Sequence, residues 1–323
     1  MPPLEPIALA QIEAASAAIA GIALRTPLVR LNIEDAPAEI YLKLENLQPI
    51  GSFKLRGAGN ALATAYPSRL AEGVFTASAG NMAQGVAYVA RERGVDCSVI
   101  VPDHAPATKL DAIARLGGTA IKVPFERWWQ VLVEHSFPGL EGHFVHPVSD
   151  PAVVAGNGTV GLEIARDLPD VDTVIVPYGG GGLSSGIACA LAGLCPKARV
   201  FAAEVDTAAP LAASLEAGQP VDVDYRASFV DGIGGKGLLP EMWPLVRDVL
   251  AGSLVVSLRQ VAAAMRMLVE RNRVVAEGAG AAAVAAALTG RAGGSKVVCV
   301  VSGGNIDAST LAAILEGRLP EAN

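Results

Sequence analysis

The segment Pro177-Tyr178-Gly179-Gly180-Gly181-Gly182-Leu183-Ser184-Ser185-Gly186 says more about this chain than any other stretch of its sequence. It follows the apolar run Thr173–Pro177, which is typical of a buried strand, and it leads into a helical pattern. Four consecutive glycines let backbone N–H groups converge on an anion at a helix N-terminus. They also cost conformational entropy that an ordinary tight turn avoids. We therefore predict a phosphate site, with a plain strand-to-helix turn as the alternative.

Short apolar runs alternate with longer helical patterns on both sides of this segment, which favours parallel sheets covered by helices. The sequence predicts two open doubly wound α/β domains, whose ligands bind where strand carboxyl ends meet helix N-termini. The predicted strands are Ile40–Leu44, Gly73–Ala77, Cys97–Val101, Ala120–Val123, Thr173–Pro177, Val200–Ala203 and Lys296–Val301. The predicted helices are Met82–Gly94, Ala107–Leu116, Val160–Asp167, Ser184–Leu194, Leu258–Asn272 and Thr310–Glu316.

A loop-rich stretch, Pro138–Ala155, interrupts this rhythm, which restarts after it with a different glycine density. We therefore expect a small α/β domain of residues 65–147, inserted into a large domain formed by residues 1–64 and 148–323. The cleft between two such domains is the default place for a small ligand.

Composition narrows the class of protein. Of the 323 residues, 51% are hydrophobic and 18% charged, which excludes a disordered chain. With 25 basic and 32 acidic residues, the net charge of -7 gives no electrostatic attraction to nucleic acid or to an anionic membrane. The partners we expect are a small molecule and copies of the chain itself.

Location and metal content follow from other features of the sequence. The four cysteines are scattered without CxxC spacing, which favours buried thiols in a reducing cytoplasm over disulfides or a zinc site. The first 24 residues contain Glu5 and Glu13 and do not resemble a signal peptide, and the apolar stretch Val274–Leu288 is mostly alanine and glycine. We expect Val274–Leu288 to be a buried helix, because a membrane span needs about 20 strongly apolar residues. We also expect no bound metal.

A second segment, Gly51-Ser52-Phe53-Lys54-Leu55, places one lysine among apolar neighbours just after a predicted strand. Desolvation lowers the pKa of a lysine toward that of a nucleophilic amine suited to Schiff-base chemistry. A solvated helix lysine is the alternative.

A third segment, Thr76-Ala77-Ser78-Ala79-Gly80-Asn81-Met82, combines a strand end, a polar turn and a helix start. Ser78 and Asn81 are candidate hydrogen-bond donors to a carboxylate or phenolate, or simple helix caps.

Other motifs carry competing hypotheses. Gly182-Leu183-Ser184-Ser185-Gly186 fits the nucleophile elbow of a serine hydrolase, but all four histidines precede Ser184, so the base is missing. The motif Gly232–Gly237 satisfies G-x-G-x-x-G but runs into Leu239-Pro240 instead of a helix. His143 and His146 end a short strand, and we interpret them as solvated or core histidines rather than metal ligands. A small-anion binding protein is a further alternative, one that would not need Lys54.

An amine, a carboxylate site and a phosphate site in one chain suggest an aldehyde-phosphate cofactor bound to an amino acid. Together these segments resemble the fold-type II pyridoxal-phosphate enzymes, which have the tryptophan synthase beta-like fold, in the serine/threonine dehydratase and serine racemase branch. The resemblance runs from Arg25-Thr26-Pro27-Leu28 to Ser302-Gly303-Gly304-Asn305. It implies a homodimeric ammonia-lyase, with pyridoxal 5'-phosphate in the interdomain cleft, that converts an amino acid of the L-threonine/L-serine type to a 2-oxo acid and ammonia.

The resemblance also implies roles for individual residues. Lys54 forms the Schiff base and then acts as general base, while Ser78, with nearby N–H groups, holds the substrate carboxylate. The residues that would bind the cofactor are Phe53 on its ring, Asn81 on the ring oxygen, Gly179, Gly180, Gly181, Gly182 and Leu183 on its phosphate, and Ser302 at its pyridine nitrogen.

Departures from the family pattern bear on the substrate. Ala79 stands where racemases of this branch have a serine, so we expect dehydration to be favoured over racemisation, and serine racemase-like activity is the alternative. Met82 replaces the usual histidine beside the substrate, which raises a bulkier or aromatic 3-hydroxy amino acid, such as a phenylserine, as another alternative. At the cation site of relatives, Glu204 and the Ala208 carbonyl match two ligands, but Pro210 replaces a carboxylate.

Overall fold

The computed structural model describes residues 2–320 and contains two separate sheets. Its strands are β1 (Leu28–Arg30), β2 (Glu39–Leu44), β3 (Val74–Ala77), β4 (Cys97–Pro102), β5 (Thr119–Val123), β6 (His143–Phe144), β7 (Thr173–Pro177), β8 (Arg199–Val205), β9 (Gly252–Val256) and β10 (Lys296–Val301). The larger sheet has the order β1-β2-β10-β7-β8-β9 and the smaller one β5-β4-β3-β6. All neighbouring strands are parallel except β1 and β2.

Helices cover both sheets. They are α1 (Leu9–Ala18), α2 (Lys54–Thr64), α3 (Pro67–Ala71), α4 (Asn81–Arg93), α5 (Ala107–Arg115), α6 (Phe125–Glu134), α7 (Pro151–Asp167), α8 (Gly182–Leu194), α9 (Pro210–Ala217), α10 (Trp243–Val249), α11 (Leu258–Met267), α12 (Gly278–Ala287) and α13 (Ala308–Leu315). A 3₁₀ turn covers Glu45–Leu47, and a π-helical segment, Leu268–Asn272, continues α11. Among residues 2–320, no helix combines the length and the apolarity that a bilayer crossing requires.

The predicted α/β alternation is confirmed, since each predicted strand and helix is present; Thr173–Pro177 and Lys296–Val301 have the predicted ends, and the other elements have shifted ends. The sequence missed the edge strands β1 and β9, and it placed the start of α7 at Val160 instead of Pro151. Two glycines of α7 serve close helix packing. A Cβ on Gly156 would lie 2.4 Å from the Arg56 carbonyl oxygen, and one on Gly158 would lie 2.9 Å from that of Gly186.

Each sheet has an apolar core on both faces, which is the doubly wound arrangement. On the larger sheet, Leu42 and Cys299 face one core with α11 and α12, while Val174 and Val298 face the other with α1, α7, α8 and α10. The smaller sheet has one core with α2 and α4 and a second, smaller one with α6. The smaller sheet takes its strands from residues 74–144, and we keep residues 65–147 as the proposed small domain.

A buried ionic network fixes α2 to the end of β2 and to α7. Arg56 donates from Nε to Glu45 Oε2 (2.7 Å) and from Nη1 to Glu163 Oε1 (2.7 Å). Lys43, which is fully buried, donates to Glu163 Oε2 (2.6 Å), and Thr26 Oγ1 donates to Glu45 Oε1 (2.6 Å). Because Arg56 lies two residues after Lys54, the network positions the helix that begins at Lys54.

Candidate active site

A cavity of about 360 Å³ lies between the two sheets, where the carboxyl ends of their strands face each other. Its lining residues are Phe53, Lys54, Ser78, Gly80, Asn81, Met82, Lys109, Pro147, Val148, Pro177, Gly179, Gly180, Gly181, Gly182, Leu183, Asp231, Gly232, Ile233, Gly234, Glu277, Ala279 and Ser302. A more open hollow of about 480 Å³ lies around Pro67 and Gly94, and neither a lysine nor a serine is among its lining residues. The cleft between the sheets is therefore the candidate active site.

Lys54 begins α2 and points its amine into this cleft. Its Nζ donates to the carbonyl oxygen of Pro147 (2.7 Å) and lies 5.3 Å from the centroid of the Phe53 ring. Burial lowers the pKa of Lys54 to about 8. An amine with a pKa near 8 is available in its unprotonated, nucleophilic form at a pH close to neutral.

The glycine loop, residues 179–182, connects β7 to α8 at the opposite wall. Within residues 2–320, no acceptor takes the backbone N–H groups of Gly179 through Leu183, which lie at and just before the start of α8. Gly181 has φ +93°, and a Cβ on Gly180 would lie 2.4 Å from Val148 Cγ1. The loop thus needs glycine for its conformation and its close packing, and it offers free donors to an anion.

Ser302 follows β10 and lines the floor of the cleft. Its carbonyl oxygen accepts from the backbone N–H of Phe53 (3.0 Å), which joins the ends of β10 and the start of α2. The side chains of Phe53, Lys54 and Ser302 thereby meet in one place although the first and last are distant in sequence.

The Ser78–Asn81 turn lies at the end of β3, on the side of the smaller sheet. Ser78 Oγ accepts from the backbone N–H of Gly80 (3.2 Å), and Gly80, Asn81 and Met82, at the start of α4, line the cleft. Met82 lines the cavity but is only 1% exposed, because most of its side chain belongs to the core of the small domain. Ala79 packs beside that same core and is not among the cavity-lining residues; its role in substrate binding stays a prediction.

Glu277 is a cleft residue that the sequence did not identify. Its carboxylate accepts from Asn81 Nδ2 (3.0 Å to Oε1, 3.3 Å to Oε2), while Asn81 Oδ1 accepts from Asn305 Nδ2 (2.8 Å). These contacts fix the orientation of the Asn81 amide, with its nitrogen toward Glu277. Burial raises the pKa of Glu277 to about 8, and the negative charge of nearby Asp231 adds to this rise. A lone carboxylate inside the most apolar stretch of the chain was the available signal.

The mouth of the cleft is crossed by one ion pair. Lys109, in the first turn of α5, donates to Asp231 Oδ2 (2.8 Å), and Asp231 precedes the loop Gly232–Gly237. That loop lines the cavity and does not open a helix, which agrees with our interpretation that it is not a dinucleotide motif.

The competing motifs do not form sites of their own. Ser184 is buried in the first turn of α8, and its hydroxyl donates to the Gly181 carbonyl (3.1 Å). His143 and His146 lie at β6 and just after it, and no group of three or more metal-ligating His, Cys, Asp or Glu side chains occurs in the part of the chain from Pro2 to Pro320.

Glu204 has its oxygens occupied by the protein itself. Its carboxylate accepts from the backbone N–H groups of Leu211 (2.9 Å) and Ala212 (2.8 Å) and from Ser253 Oγ (2.6 Å). It therefore caps the N-terminus of α9, whose positive dipole end favours a negative charge.

We expect a chelator to leave the activity unchanged, because three protein donors already occupy the oxygens of Glu204. The measurement is the initial rate before and after dialysis against EDTA. A rise in melting temperature on adding Mg²⁺ or Ca²⁺ to the dialysed protein would contradict this expectation, since ligands stabilise the fold to which they bind.

Comparison with known proteins gives consistent matches. A family model described as pyridoxal-phosphate dependent enzyme matches residues 19–303. The chain is 39% identical over 319 residues to the L-threonine ammonia-lyase of Thermotoga maritima, covering 97% of this chain and 79% of that one. It is 37% identical to the catabolic L-threonine dehydratase TdcB of Escherichia coli, with 96% of each covered. The structure of maize serine racemase superposes with a TM-score of 0.88, at 33% identity and over 97% and 98% of the two chains.

Proposed function

Because the chain belongs to the pyridoxal-phosphate dependent enzyme family, we propose that it is an ammonia-lyase that converts an amino acid of the L-threonine/L-serine type to a 2-oxo acid and ammonia. One observation carries the proposal furthest: a partly buried amine, free N–H donors on a glycine loop and a buried hydroxyl line one cavity. Relatives named for threonine deamination at 37–39% identity support the substrate class.

The cleft fits pyridoxal phosphate. The free N–H groups of the glycine loop and Leu183 would hold the phosphate, Ser302 would face the pyridine nitrogen, and Asn81 would donate to the ring oxygen. When bound, pyridoxal phosphate supplies an aldehyde that joins amino groups and a ring that withdraws electrons from the α-carbon.

The chain's own residues then direct the reaction. Ser78 and the N-terminal N–H groups of α4 bind the substrate carboxylate, which orients the α-C–H bond toward Lys54. The Lys54 amine removes the α-proton, and the Pro147 carbonyl accepts a hydrogen bond from the resulting ammonium. Glu277 and Asn305 hold Asn81 in one orientation throughout. The α-proton and the β-hydroxyl leave together as one water, and a second water is consumed when ammonia is released, so the sum is one 2-oxo acid and one ammonia.

The test is the turnover of L-threonine, L-serine and L-threo-phenylserine by purified protein saturated with pyridoxal phosphate. Ammonia and 2-oxo acid should appear in equal amounts, with threonine or serine turned over fastest, and the recovered amino acid should keep its L configuration. Faster turnover of phenylserine would favour a bulkier substrate, and recovery of D-amino acid would favour a racemase. If none of the three yields a 2-oxo acid, the proposed function is wrong.

Replacing Gly180 by alanine is expected to weaken pyridoxal-phosphate binding about 10- to 100-fold, because displacing the loop would lose a hydrogen bond to a charged phosphate, which contributes about 1.5–3 kcal/mol. The new Cβ would meet Val148 Cγ1 at 2.4 Å and Cγ2 at 2.7 Å, and this β-branched side chain has little freedom to move aside. The measurement is the dissociation constant from a fluorescence titration of the apoprotein.

A second substitution tests the cause. In Gly180→Ala/Val148→Ala both clashing methyl groups are absent, and the affinity should recover most of the way toward that of Val148→Ala alone. If Gly180→Ala and Gly180→Ala/Val148→Ala weaken pyridoxal-phosphate binding equally, the contact with Val148 is not the reason for glycine at position 180.

We also propose that the protein is a cytoplasmic homodimer. Its four cysteines are free and buried, as suits a reducing compartment, and Leu24 and Leu47 are about half exposed, as suits an interface. Light scattering should give a mass twice that of the 33.0 kDa chain. A monomer at micromolar concentration would contradict the dimer.

A further inference from the structure

The turn that follows β6, residues 146–149, lies directly over Lys54. From the sequence, His146 is expected to be a core or solvated histidine. The side chain is 3% exposed, yet it lies one residue from the carbonyl oxygen that accepts from the Lys54 amine. The contacts of its ring explain how this turn keeps its shape.

His146 Nδ1 is the acceptor that closes the turn. It accepts from the backbone N–H of Val148 (3.1 Å) and of Ser149 (2.8 Å), and Ser149 Oγ lies 3.0 Å away. Because two N–H groups point at Nδ1, this nitrogen carries no proton, and the Ser149 hydroxyl donates to it as well. Burial, together with nearby His135 and Lys54, lowers the pKa of His146 to about 3, so the ring stays neutral at physiological pH.

The ring itself is clamped by aromatic neighbours. Its centroid lies 5.0 Å from that of His135 and 6.1 Å from that of Phe144, the latter in an edge-on arrangement. His135 caps the C-terminus of α6 with φ +57°, and Phe144 belongs to β6, so both neighbours are fixed by elements of the smaller sheet and its helices. A ring held on several sides gives the turn a rigid support.

The closed turn presents two groups to the cleft. The Pro147 carbonyl accepts from Lys54 Nζ at 2.7 Å, and the Val148 side chain packs where a Cβ on Gly180 would otherwise lie. Pro147 has no N–H, and the next two N–H groups are bound by His146, so the Pro147 carbonyl is the backbone group that the turn directs at the amine.

We propose that His146 is a positioning residue for proton transfer: by gathering the 146–149 turn, its Nδ1 aims the Pro147 carbonyl at the Lys54 amine. This inference rests on the proposed function, in which free Lys54 takes the α-proton. Loss of the Nδ1 acceptor lets the turn relax, and misplacement of a catalytic group by about 1 Å costs on the order of 100-fold in rate. We therefore expect kcat to fall about 10- to 100-fold, with KM changing much less.

Three variants separate the acceptor from the volume of the ring. His146→Asn places an amide oxygen near the position of Nδ1, His146→Gln places its polar end near Nε2, and His146→Leu removes every acceptor. His104→Asn, at an exposed histidine, is the matched control. The asparagine variant should retain most of kcat, whereas kcat of the leucine and glutamine variants should fall about 10- to 100-fold. These two variants should also show a larger isotope effect with α-deuterated threonine, because proton removal becomes slower.

Amide hydrogen exchange of the apoprotein gives a readout that does not depend on activity. The segment covering residues 146–150 should exchange faster in the leucine and glutamine variants than in the wild type, and His146→Asn should be close to the wild type. The proposal is wrong if the asparagine and leucine variants behave alike in exchange and in kcat. It is also wrong if kcat is unchanged while exchange quickens. A wild-type protein that forms no 2-oxo acid would refute the proposed function and, with it, the role of His146 in proton transfer. The exchange experiment would then still decide separately whether His146 Nδ1 closes the 146–149 turn.

Discussion

A Lys54→Ala variant is expected to lose about 10³-fold or more in kcat/KM, because one side chain supplies both the nucleophilic amine and the general base. Lys54 is the lysine whose amine reaches the interior of the cleft, where burial lowers its pKa to about 8. The variant should still bind pyridoxal phosphate through the glycine loop. It should, however, carry no covalently attached cofactor after borohydride reduction, as read by mass spectrometry.

Lys109 provides the matched control for that experiment. It lines the same cavity, but its ammonium is paired with Asp231 at 2.8 Å and lies at the mouth of the cleft. Borohydride treatment of Lys109→Ala should therefore fix the cofactor on Lys54 as in the wild type. Covalent cofactor in Lys54→Ala, or wild-type turnover by that variant, would show that another residue performs the chemistry.

The second large effect concerns stability. Arg56→Met is expected to lower the free energy of unfolding by about 3–5 kcal/mol, since removing one partner of a buried ion pair leaves an uncompensated charge. Glu45 is completely buried, and its remaining partners would be the neutral Thr26 and Gln48. The measurement is urea unfolding of the apoprotein, compared with Arg266→Met, whose exposed pair with Glu270 contributes about 0.3–0.5 kcal/mol.

The double variant Arg56→Met/Glu45→Gln tests the electrostatic cause, because it removes one positive and one negative charge and leaves Lys43 paired with Glu163. It should be more stable than Arg56→Met alone.

The wild type should also respond to acid. Salt bridges and hydrogen bonds to Arg56 hold the pKa of Glu45 below its usual value despite burial, so its contribution is complete above about pH 4.3 and is lost as the pH falls through the lowered pKa.

Several parts of the site could be predicted because each depends on residues that are neighbours in the chain. The glycine loop needs a strand, four residues without side chains and a helix, and these are contiguous in residues 173–194. Lys54 and the Ser78–Asn81 turn were likewise recognisable from adjacent residues. Burial of an amine or exposure of helix N–H groups follows from local pattern, so the sequence predicted which chemistry the chain carries.

Other parts were not predictable, because they join segments far apart in sequence. Glu277 contacts Asn81 across 196 positions, and Pro147 reaches Lys54 across 93. Glu204 shows the same limit: residues 204–210 suggested an incomplete cation site, and only the fold brings Ser253 and the start of α9 against its carboxylate.

The sequence by itself determined the fold class, because periodicity and glycine placement are properties of short segments. Its resemblance to the pyridoxal-phosphate enzymes indicated the cofactor, and the residues assigned to that cofactor stay predictions. The tertiary structure alone decided how those residues are held. Closure of the two sheets around one cleft aligned the Asn81 amide between Glu277 and Asn305, and it made His146 the acceptor of a turn over Lys54. Hydrogen bonds of this kind depend on angstrom-scale distances between remote backbones, which are fixed by the packing of the whole chain.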